Sequence, residues 1–456
     1  MQWNQRFCYV LNLNFAASNS HQNGLAGLAT LQYRIITLLQ ILGGYGYINK
    51  LISQIILRSQ EMTALALNTV PQLLRAQAGP AISVAFYSDG KKVVLPSALK
   101  RGTGGRSSFN GVVATVFGGN GFLGRVLCNR LGKVGTQMII PFRCDAYNVR
   151  NLKLAGDLGQ VLFQEEFDVR DELAIYNALK YSNVVINLIG REWETRNFKY
   201  RDVHVDAARR IARIAKETGV PRLIHVSSLN VAEKPQRAFM KNGSEFLKTK
   251  WEGEQAVIEE FPEATIFRPA NIYGQDDSFL SHYQCFPRRT FKVLSLWKKG
   301  EETIKQPVFV GDVAQAITNA AQDPTTAGKI YQAVGPKRYY MSDLMDWTYW
   351  EMRRDPDIWG YRRWDLRFDP TVWIRLWLFN HWYGEPIGYM VADKIERDSI
   401  SDVIDKSLPT LEDLDIKLTD YELQVPWEVR PYRAFKYYDE APGEWPERIL
   451  PSVENA

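Results

Sequence analysis

Three glycines, each three residues after the last, follow an apolar run of the chain. The run at residues 112–117 predicts a buried strand, Gly118, Gly121 and Gly124 come next, and a helical pattern begins at Phe122. Glycine also occurs in ordinary turns, but between a strand and a helix it lets the backbone approach a pyrophosphate at the helix N-terminus. The loop is therefore expected to bind a dinucleotide. The residues expected to contact it are Gly118, Asn120, Gly121, Phe122, Leu123 and Gly124.

The end of the second predicted strand, at residues 138–142, distinguishes between two nucleotides. An acid there binds the ribose 2′-hydroxyl of NAD, whereas an arginine pairs with the 2′-phosphate of NADP. Arg143 comes first in this sequence and Asp145 follows two residues later, while Arg125 follows the last glycine of the loop. The order favours NADP(H) over NAD, with Arg125 and Arg143 as a phosphate clamp.

Three further residues stand at ends of predicted strands where a nucleotide would pass. Asp168 follows the third strand and is placed to meet the adenine amino group, although an aspartate there is also a routine helix cap. Asn187 and Gly190 end the fourth strand, where small residues let ribose and phosphate pass closely, and a plain turn is the alternative. All three are included in the expected cofactor site.

A reductase built on this pattern also needs a proton donor, usually a tyrosine whose pKa is lowered by a lysine four residues later. A serine near it orients the carbonyl group. Ser227 and Ser228 end the fifth predicted strand, and the next helix carries Phe246 and Lys250 at the required spacing. Because phenylalanine has no hydroxyl group, no catalytic residue is predicted, and Ser228 and Lys250 are vestigial candidates.

Losing a general acid removes about 10²- to 10⁴-fold of rate. Tyr200 or Tyr273 could donate the proton instead, although their spacing does not suggest it. Lys250 is expected to hold the nicotinamide ribose, with a solvated helix lysine as the alternative. Asp312, in the segment PVFVGDVAQAI, is expected to be the N-cap of the helix that follows it.

These residues require a scaffold of alternating strands and helices. From Gly111 onward short apolar runs alternate with helical stretches, which predicts an α/β fold with a doubly wound parallel sheet of the Rossmann type. Strands are predicted at 112–117, 138–142, 161–163, 183–189, 223–226 and 264–267, and helices at 122–131, 171–180, 203–218, 246–260 and 312–321. Gly132 is expected to end the first helix.

Composition excludes several other classes of protein. The net charge of +5 comes from scattered Lys and Arg with no long basic run, so no nucleic acid is expected as a partner. The histidines lack metal-ligand spacing, and no metal site is predicted. The cysteines show no CxxC pair and are expected to be free, buried thiols. They are Cys8, Cys128, Cys144 and Cys285.

The N-terminal region differs from the rest of the chain. Residues 1–60 contain no acidic residue, and 35–56 are apolar but interrupted by Gln40 and Lys50, so a membrane span is the less favoured interpretation. Met62 is a second possible start, followed by a segment rich in Ala, Leu and Ser that predicts a mitochondrial transit peptide at 62–87. Residues 1–61 are then an upstream extension outside the fold, and 88–110 are a linker.

The C-terminal region is crowded with tryptophan. The cofactor domain is expected to span 111–340, with interleaved segments of a C-terminal lobe, and 341–456 to form a Trp-rich module. In WIRLWLFNHW, one helical side carries Trp373, Leu376, Trp377 and Asn380. On this pattern alone a packed core is favoured over a contact surface.

The motifs GTGGRSSFNGVVATVFGGNGFLGR, IIPFRCD, GDLGQVLF and NVVINLIGREWETRNF are more specific than a generic dinucleotide site requires. With them the chain resembles the alpha subcomplex subunit 9 family, the short-chain-dehydrogenase-like accessory subunits of mitochondrial complex I (NADH:ubiquinone oxidoreductase). The resemblance runs from about Met62 to the C-terminus. It also implies an atypical, extended short-chain dehydrogenase fold.

The resemblance implies a non-catalytic subunit with tightly bound structural NADPH, rather than FAD, on the matrix side of the inner membrane. It would support assembly near the junction of the peripheral and membrane arms, with other complex I subunits as partners and only peripheral membrane contact. The Trp-rich module then becomes a partner surface. A soluble mitochondrial reductase or epimerase is the alternative, and a nucleotide-sensing redox regulator is a weaker one.

Overall fold

The fold is described from a computed structural model, which covers residues 100–284, 292–354, 361–382, 390–435, 437–438 and 440–453. These residues belong to a single compact unit. The predicted extension at 1–61, transit peptide at 62–87 and apolar stretch at 35–56 lie outside the described residues, as do Cys8 and Cys285. Within the described part of the chain, no helix is long and apolar enough to cross a membrane.

Seven parallel strands form the central sheet, which confirms the predicted α/β doubly wound fold. The strands are β1 (Val113–Phe117), β2 (Gln137–Pro141), β3 (Val161–Gln164), β4 (Val184–Asn187), β5 (Arg222–Val226), β6 (Thr265–Pro269) and β11 (Ile330–Ala333). Their order in the sheet is β11-β6-β5-β4-β1-β2-β3, so β1 lies between β2 and β4 and the direction of winding reverses there. Most of their residues are buried, because helices cover both faces.

Each face of the sheet has its own helices and its own hydrophobic cluster. The helices are α1 (Phe122–Lys133), α2 (Glu172–Leu179), α3 (Ala207–Glu217), α4 (Glu245–Glu260) and α6 (Val310–Gln322). One cluster contains apolar residues of α1 and α6, and the other those of α2, α3 and α4. A 3-10 helix, Ala146–Ala155, follows β2, and a π-helix, Asp202–Asp206, leads into α3.

Two helix boundaries correct the sequence-based expectations. Gly132 does not end α1, which continues to Lys133. A Cβ at Gly132 would stand 1.8 Å from the carbonyl oxygen of Ala155, so glycine is present for close packing. Asp312 is not the N-cap of α6, because that helix begins at Val310. Its carboxylate instead accepts hydrogen bonds from the backbone N–H and hydroxyl group of Thr419.

A second lobe combines the remaining elements. Its cluster joins buried residues from 273–296 to others from 339–361 and 421–450, so the segment after Tyr340 shares a core with earlier parts of the chain. The elements are β7 (Ile272–Tyr273), α5 (Leu280–Gln284), β8 (Val293–Leu296), β9 (Ile304–Lys305), β10 (Val308–Phe309), β12 (Tyr339–Tyr340), α7 (Met341–Glu351), β13 (Arg362–Asp365), α8 (Pro370–Trp382), α9 (Ala392–Asp398) and α10 (Tyr421–Glu428).

Helix α8 contains the tryptophan-rich stretch, and its two sides differ in burial. Leu376 is buried and Trp373 packs partly against the same small cluster. Trp377 and Ile374 are 62% and 63% exposed. The side chain of Asn380 lies outside the described part. One face of the helix is therefore core, whereas the other carries exposed apolar side chains, whose role as a contact surface stays a prediction.

The two cysteines in the described part differ. Cys128 is a free, fully buried thiol, as expected, and burial raises its pKa to about 12. The expectation was wrong for Cys144, which is exposed just after β2. Strand β2 ends at Pro141, so Cys144 lies beyond the buried part of this segment.

Candidate functional site

The glycine loop between β1 and α1 is shaped by backbone contacts that leave no room for side chains. Gly118 has φ +80°, a conformation that favours glycine. A Cβ at Gly124 would lie 2.5 Å from the carbonyl oxygen of Gly118, so the helix starts directly against the loop. Gly121 is the N-cap of α1 and forms no side-chain cap, which leaves the N–H groups of the first turn available to an anion.

A cavity of about 270 Å³ opens beside this loop, at the carboxyl ends of β1, β2 and β4. This is the point where the strand order reverses, the usual place for a nucleotide in such a sheet. Two arginines and no carboxylate line it, which suits an anionic ligand. The lining residues are Gly118, Gly119, Asn120, Gly121, Pro141, Phe142, Arg143, Cys144, Phe167, Val169, Ile189, Gly190, Arg191, Phe198 and Val203.

Arg143 stands at the β2 side of the cavity, where an adenosine would lie. Its guanidinium carbon lies 5.0 Å from the centre of the Phe198 ring, and that of Arg170 lies 4.1 Å from it. No carboxylate of the described residues pairs with Arg143, because Asp145 instead accepts a hydrogen bond from the backbone N–H of Tyr147. Arg143 is exposed and available to a phosphate.

The structure does not bring Arg125 into the same place. Its guanidinium group lies 3.6 Å from the carboxylate of Asp276, and it lines a neighbouring groove rather than the cavity. Asp168 also stays outside the lining, between Phe167 and Val169, and its carboxylate accepts the backbone N–H of Arg170. Contacts of Arg125 and Asp168 with a nucleotide stay predictions.

Behind the β4 end of the cavity lies a group of buried polar side chains. The amide nitrogen of Asn187 lies 3.2 Å from Nδ1 of His225, and the Asn187 side-chain oxygen accepts the backbone N–H of Ile189. The Asn187 side-chain amide thus has hydrogen-bond partners within the protein. The hydroxyl of Ser227 and Nε2 of His225 are buried without a hydrogen-bond partner. A polar ligand or a water bound here would supply the partners that these two atoms lack.

Lys250 reaches this group from α4. Its ammonium group donates to the carbonyl oxygen of Val226 at 3.1 Å, and it would lie 3.1 Å from a Cβ placed on Gly190, which lines the cavity. The residue is 6% exposed. Burial, together with repulsion from Arg397, lowers its pKa to about 8, against the attraction of Glu254 and Glu192.

Phe246 occupies the position where the proton donor was expected, and it is enclosed on several sides. It makes edge contacts with the rings of Tyr200 and His204, at centroid distances of 6.1 and 5.0 Å. The guanidinium carbon of Arg397 lies 3.9 Å from the centre of the Phe246 ring. A charged side chain from the C-terminal part of the chain therefore covers the ring. Ser228, the vestigial serine, is half-buried near the end of β5.

The two alternative proton donors are engaged elsewhere. The hydroxyl of Tyr200 donates to the carbonyl oxygen of Glu192 at 2.8 Å, and that of Tyr273 donates to the carbonyl oxygen of Thr419 at 3.4 Å. Burial raises the pKa of both phenols well above their usual range. Neither tyrosine lines the cavity. Neither therefore replaces the missing donor.

Arg397 belongs to α9, a short helix whose charged side chains are buried and paired. It lies 3.5 Å from Glu192 and 3.3 Å from Asp393, while Lys394 lies 3.3 Å from Glu192. Burial would raise the pKa of Glu192, but attraction to Lys394 and Arg397 outweighs it and lowers the pKa to about 2. The ion pairs join α9 to the loop after β4.

Hydrogen bonds fix the same helix to the segment before α4. Asp393 accepts from the hydroxyl of Ser244 and the backbone N–H of Phe246, at 2.8 and 3.2 Å. The fully buried Glu396 accepts three backbone N–H groups, those of Ala238, Phe239 and Met240. Helix α9 is therefore fixed against Phe246 and the start of α4.

Several residues of this arrangement were not predicted from the sequence as part of the site. Arg191, Phe198 and Cys144 line the cavity, although only the strand-end position of Cys144 could have indicated it. The segment ADKIERD has the charge pattern of an exposed helix, so nothing in it pointed to burial. Glu192 lies in the specific motif NLIGREWET, which was the one signal that the loop after β4 had a particular role.

Comparison with known proteins gives close relatives over most of the chain. Residues 115–359 match the 3-beta hydroxysteroid dehydrogenase/isomerase family. The Mus musculus protein named NADH dehydrogenase (ubiquinone) 1 alpha subcomplex subunit 9, mitochondrial, is 43% identical over 78% of this chain and 91% of its own length. The Neurospora crassa NADH-ubiquinone oxidoreductase 40 kDa subunit, mitochondrial, is 37% identical over 80% of this chain and 90% of its own.

Solved structures share the fold at much lower identity. The terminal R domain of a myxalamid biosynthetic enzyme matches with a TM-score of 0.51 and 14% identity, over 70% of this chain and 89% of that one. A UDP-N-acetylglucosamine 4-epimerase from Methanobrevibacter ruminantium matches with a TM-score of 0.50 and 15% identity, over 70% and 97%. These likenesses concern the architecture alone.

Proposed function

The chain belongs to the 3-beta hydroxysteroid dehydrogenase/isomerase family and to the alpha subcomplex subunit 9 family, and we propose that it is a non-catalytic accessory subunit of mitochondrial respiratory complex I. Its partners are the other subunits of NADH:ubiquinone oxidoreductase. The observation that carries the non-catalytic role is the pair of Phe246 and Arg397, with the guanidinium carbon 3.9 Å from the ring centre.

The cavity beside the glycine loop holds NADPH as a structural cofactor. The free N–H groups of α1 and the exposed Arg143 supply positive potential for the pyrophosphate and the 2′-phosphate. The orphaned polar atoms of Ser227 and His225 lie on the opposite side, with Lys250. The residues present therefore fit a dinucleotide across the whole switch point.

A reductase of this type carries a tyrosine hydroxyl group at the position that Phe246 occupies here. Arg397 of α9 lies over the Phe246 ring, and Asp393 of the same helix accepts the backbone N–H of Phe246. When NADPH is bound, its hydride chemistry would thus lack this proton donor.

The subunit resides on the matrix side of the mitochondrial inner membrane, near the junction of the two arms. It is imported after cleavage of a transit peptide at 62–87, with 1–61 an upstream extension. N-terminal sequencing of the purified protein tests this part, because a mature chain that begins near Met1 contradicts it. The exposed face of α8, with Trp377 and Ile374, contributes to contact with other subunits.

Native gels of solubilised mitochondria test the role in the complex. The chain should comigrate with complex I, and cells that lack it should lose assembled complex. The wild-type chain and Asn129→Ala, an exposed position on α1, should restore assembly. Gly124→Val, which fills the space against Gly118, should not. A chain that never comigrates with the complex contradicts the proposal.

A second candidate function is a soluble mitochondrial NADP-dependent reductase or epimerase of the extended short-chain dehydrogenase class. The buried Lys250 beside the orphaned hydroxyl of Ser227 favours it, since these groups stand where such enzymes hold their cofactor and substrate. Steady consumption of NADPH with a carbonyl substrate, abolished by Lys250→Ala, would establish this function in place of the first.

A further inference from the structure

Topology separates the two halves of the cavity. Because β1 lies between β2 and β4, a dinucleotide that crosses β1 with its adenosine near Arg143 must place its nicotinamide toward β4 and β5. The groups on that side include Gly190, its neighbour Arg191 and, directly behind Gly190, Lys250. This inference rests on the proposed nucleotide-holding function and concerns which form of the nucleotide is held.

Lys250 is a buried ammonium group without a carboxylate partner among the described residues. It is 6% exposed, and its hydrogen bond goes to the neutral carbonyl oxygen of Val226. A buried charge is usually compensated by an opposite charge, and an uncompensated one acts strongly on its neighbours. Whatever lies at the β4 end of the cavity therefore experiences a positive potential from this side chain.

Two carboxylates attract Lys250 without forming an ion pair with it, and each is paired with another cation. Glu254 pairs with Arg268, whose guanidinium nitrogen lies 2.6 Å from its oxygen. Glu192 pairs with Lys394 and Arg397. Neither acid is therefore the ion-pair partner of Lys250.

Phe246 adds no negative charge beside Lys250. In an active reductase of this type, the residue four positions before the lysine is a tyrosine that can ionise. Here that ring cannot carry a charge, and Arg397 places a further cation over it. Two histidines that interact with Lys250, His204 and His225, are held neutral, because burial and Lys250 lower the pKa of both. The ring at position 246 and these histidines therefore do not offset the charge of Lys250.

We propose that the buried ammonium group of Lys250, which forms no ion pair with a carboxylate of the described residues, makes the cavity select the reduced nicotinamide nucleotide over the oxidised one. The two forms carry identical phosphates and differ by one hydride. The oxidised ring bears a positive charge, which Lys250 repels, whereas the reduced ring is neutral. Lys250 is thus a specificity-determining residue for the redox state of the held nucleotide, and the site retains NADPH in preference to NADP⁺.

Equilibrium binding to the full-length chain tests this inference. Nucleotide is removed by dialysis against charcoal, and NADPH and NADP⁺ are titrated separately by isothermal titration calorimetry. The repulsion between two unit charges several ångströms apart, at an effective relative permittivity near 20, corresponds to about a tenfold to hundredfold difference between the two dissociation constants. NADPH is expected to bind tighter than NADP⁺ by that factor in the wild type.

Two lysines of the same helix provide a matched comparison. Lys250→Met keeps the length of the side chain but removes its charge, and it should bring the ratio of the two dissociation constants close to one. Lys248→Met removes a half-buried lysine that lines a different groove, and it should leave the ratio unchanged. Lys250→Arg, which retains the charge, should keep the preference.

Three results overturn the inference. Equal affinity of the wild type for NADPH and NADP⁺ overturns it, and this result does not depend on purifying Lys250→Met. A ratio that survives in Lys250→Met, or one that Lys248→Met changes equally, removes Lys250 as its cause. A wild-type chain that binds neither nucleotide refutes the proposed nucleotide-holding function itself. A chain that binds both equally refutes only the preference for the reduced form.

Discussion

Neutralising Glu192 should destabilise the protein far more than neutralising a nearby surface glutamate. Glu192 lies 3.3 Å from Lys394 and 3.5 Å from Arg397, and its pKa is lowered from 4.5 to about 2. Each pKa unit corresponds to about 1.4 kcal/mol, so the ionised group contributes roughly 3 kcal/mol at neutral pH. Glu192→Gln removes this contribution and takes away the carboxylate that Lys394 and Arg397 share.

The pH dependence of the effect has a definite direction. Because the pKa is lower in the folded state, the contribution is complete above the unfolded value of about 4.5 and disappears as the pH falls through about 2. The difference in free energy of unfolding between wild type and Glu192→Gln should therefore be about 3 kcal/mol at pH 7. It should fall to roughly 1 kcal/mol at pH 3.

Urea unfolding of the full chain, followed by tryptophan fluorescence, measures this difference. Glu194→Gln is the control, because Glu194 forms an exposed ion pair with Lys199, 2.9 Å apart. Such surface pairs contribute about 0–1 kcal/mol. If Glu192→Gln destabilises the chain no more than Glu194→Gln does, or if its effect does not decline at acidic pH, the account of α9 as an ion-paired cover is refuted.

Three further substitutions test the site itself. Phe246→Tyr should not create NADPH turnover with a panel of carbonyl compounds, because Arg397 still covers the ring; turnover above the wild-type background would contradict this. Gly124→Ala places a Cβ 2.5 Å from the carbonyl oxygen of Gly118 and should abolish nucleotide binding in calorimetry, whereas wild-type affinity would argue against the loop. Arg143→Ala should weaken NADPH binding about tenfold or more and leave NADH binding nearly unchanged; equal losses for both would remove the role assigned to the 2′-phosphate.

The sheet and the nucleotide cavity were largely predictable because both depend on short-range patterns. The strands of the sheet are apolar runs buried on both faces, and each of the first six lies within about two residues of its predicted range. The glycine loop is likewise a local signal, since Gly118 has φ +80° and a Cβ at Gly124 would meet the backbone of Gly118, six residues earlier. Such features can be read from neighbouring residues alone.

The cover over Phe246 could not be predicted, because it depends on residues far apart in the sequence. Arg397 meets Phe246 and Glu192 only after the second lobe has folded back onto the first. Charges at the spacing seen in α9 usually indicate a solvated helix, and their burial is possible only because each one has a partner. The expectation that Gly132 ends α1 failed for a related reason, since the close contact of Gly132 is with Ala155, which lies outside the helix.

The identity and amount of nucleotide released on denaturation test whether the cavity holds NADPH as a structural cofactor. The assembled complex, or the full chain purified without added nucleotide, is denatured and the released compounds are separated and quantified. We expect about one NADPH for each chain, retained through purification and not consumed by added carbonyl compounds. Release of no nucleotide, of a flavin, or of a nucleotide that turns over steadily would contradict a structural NADPH.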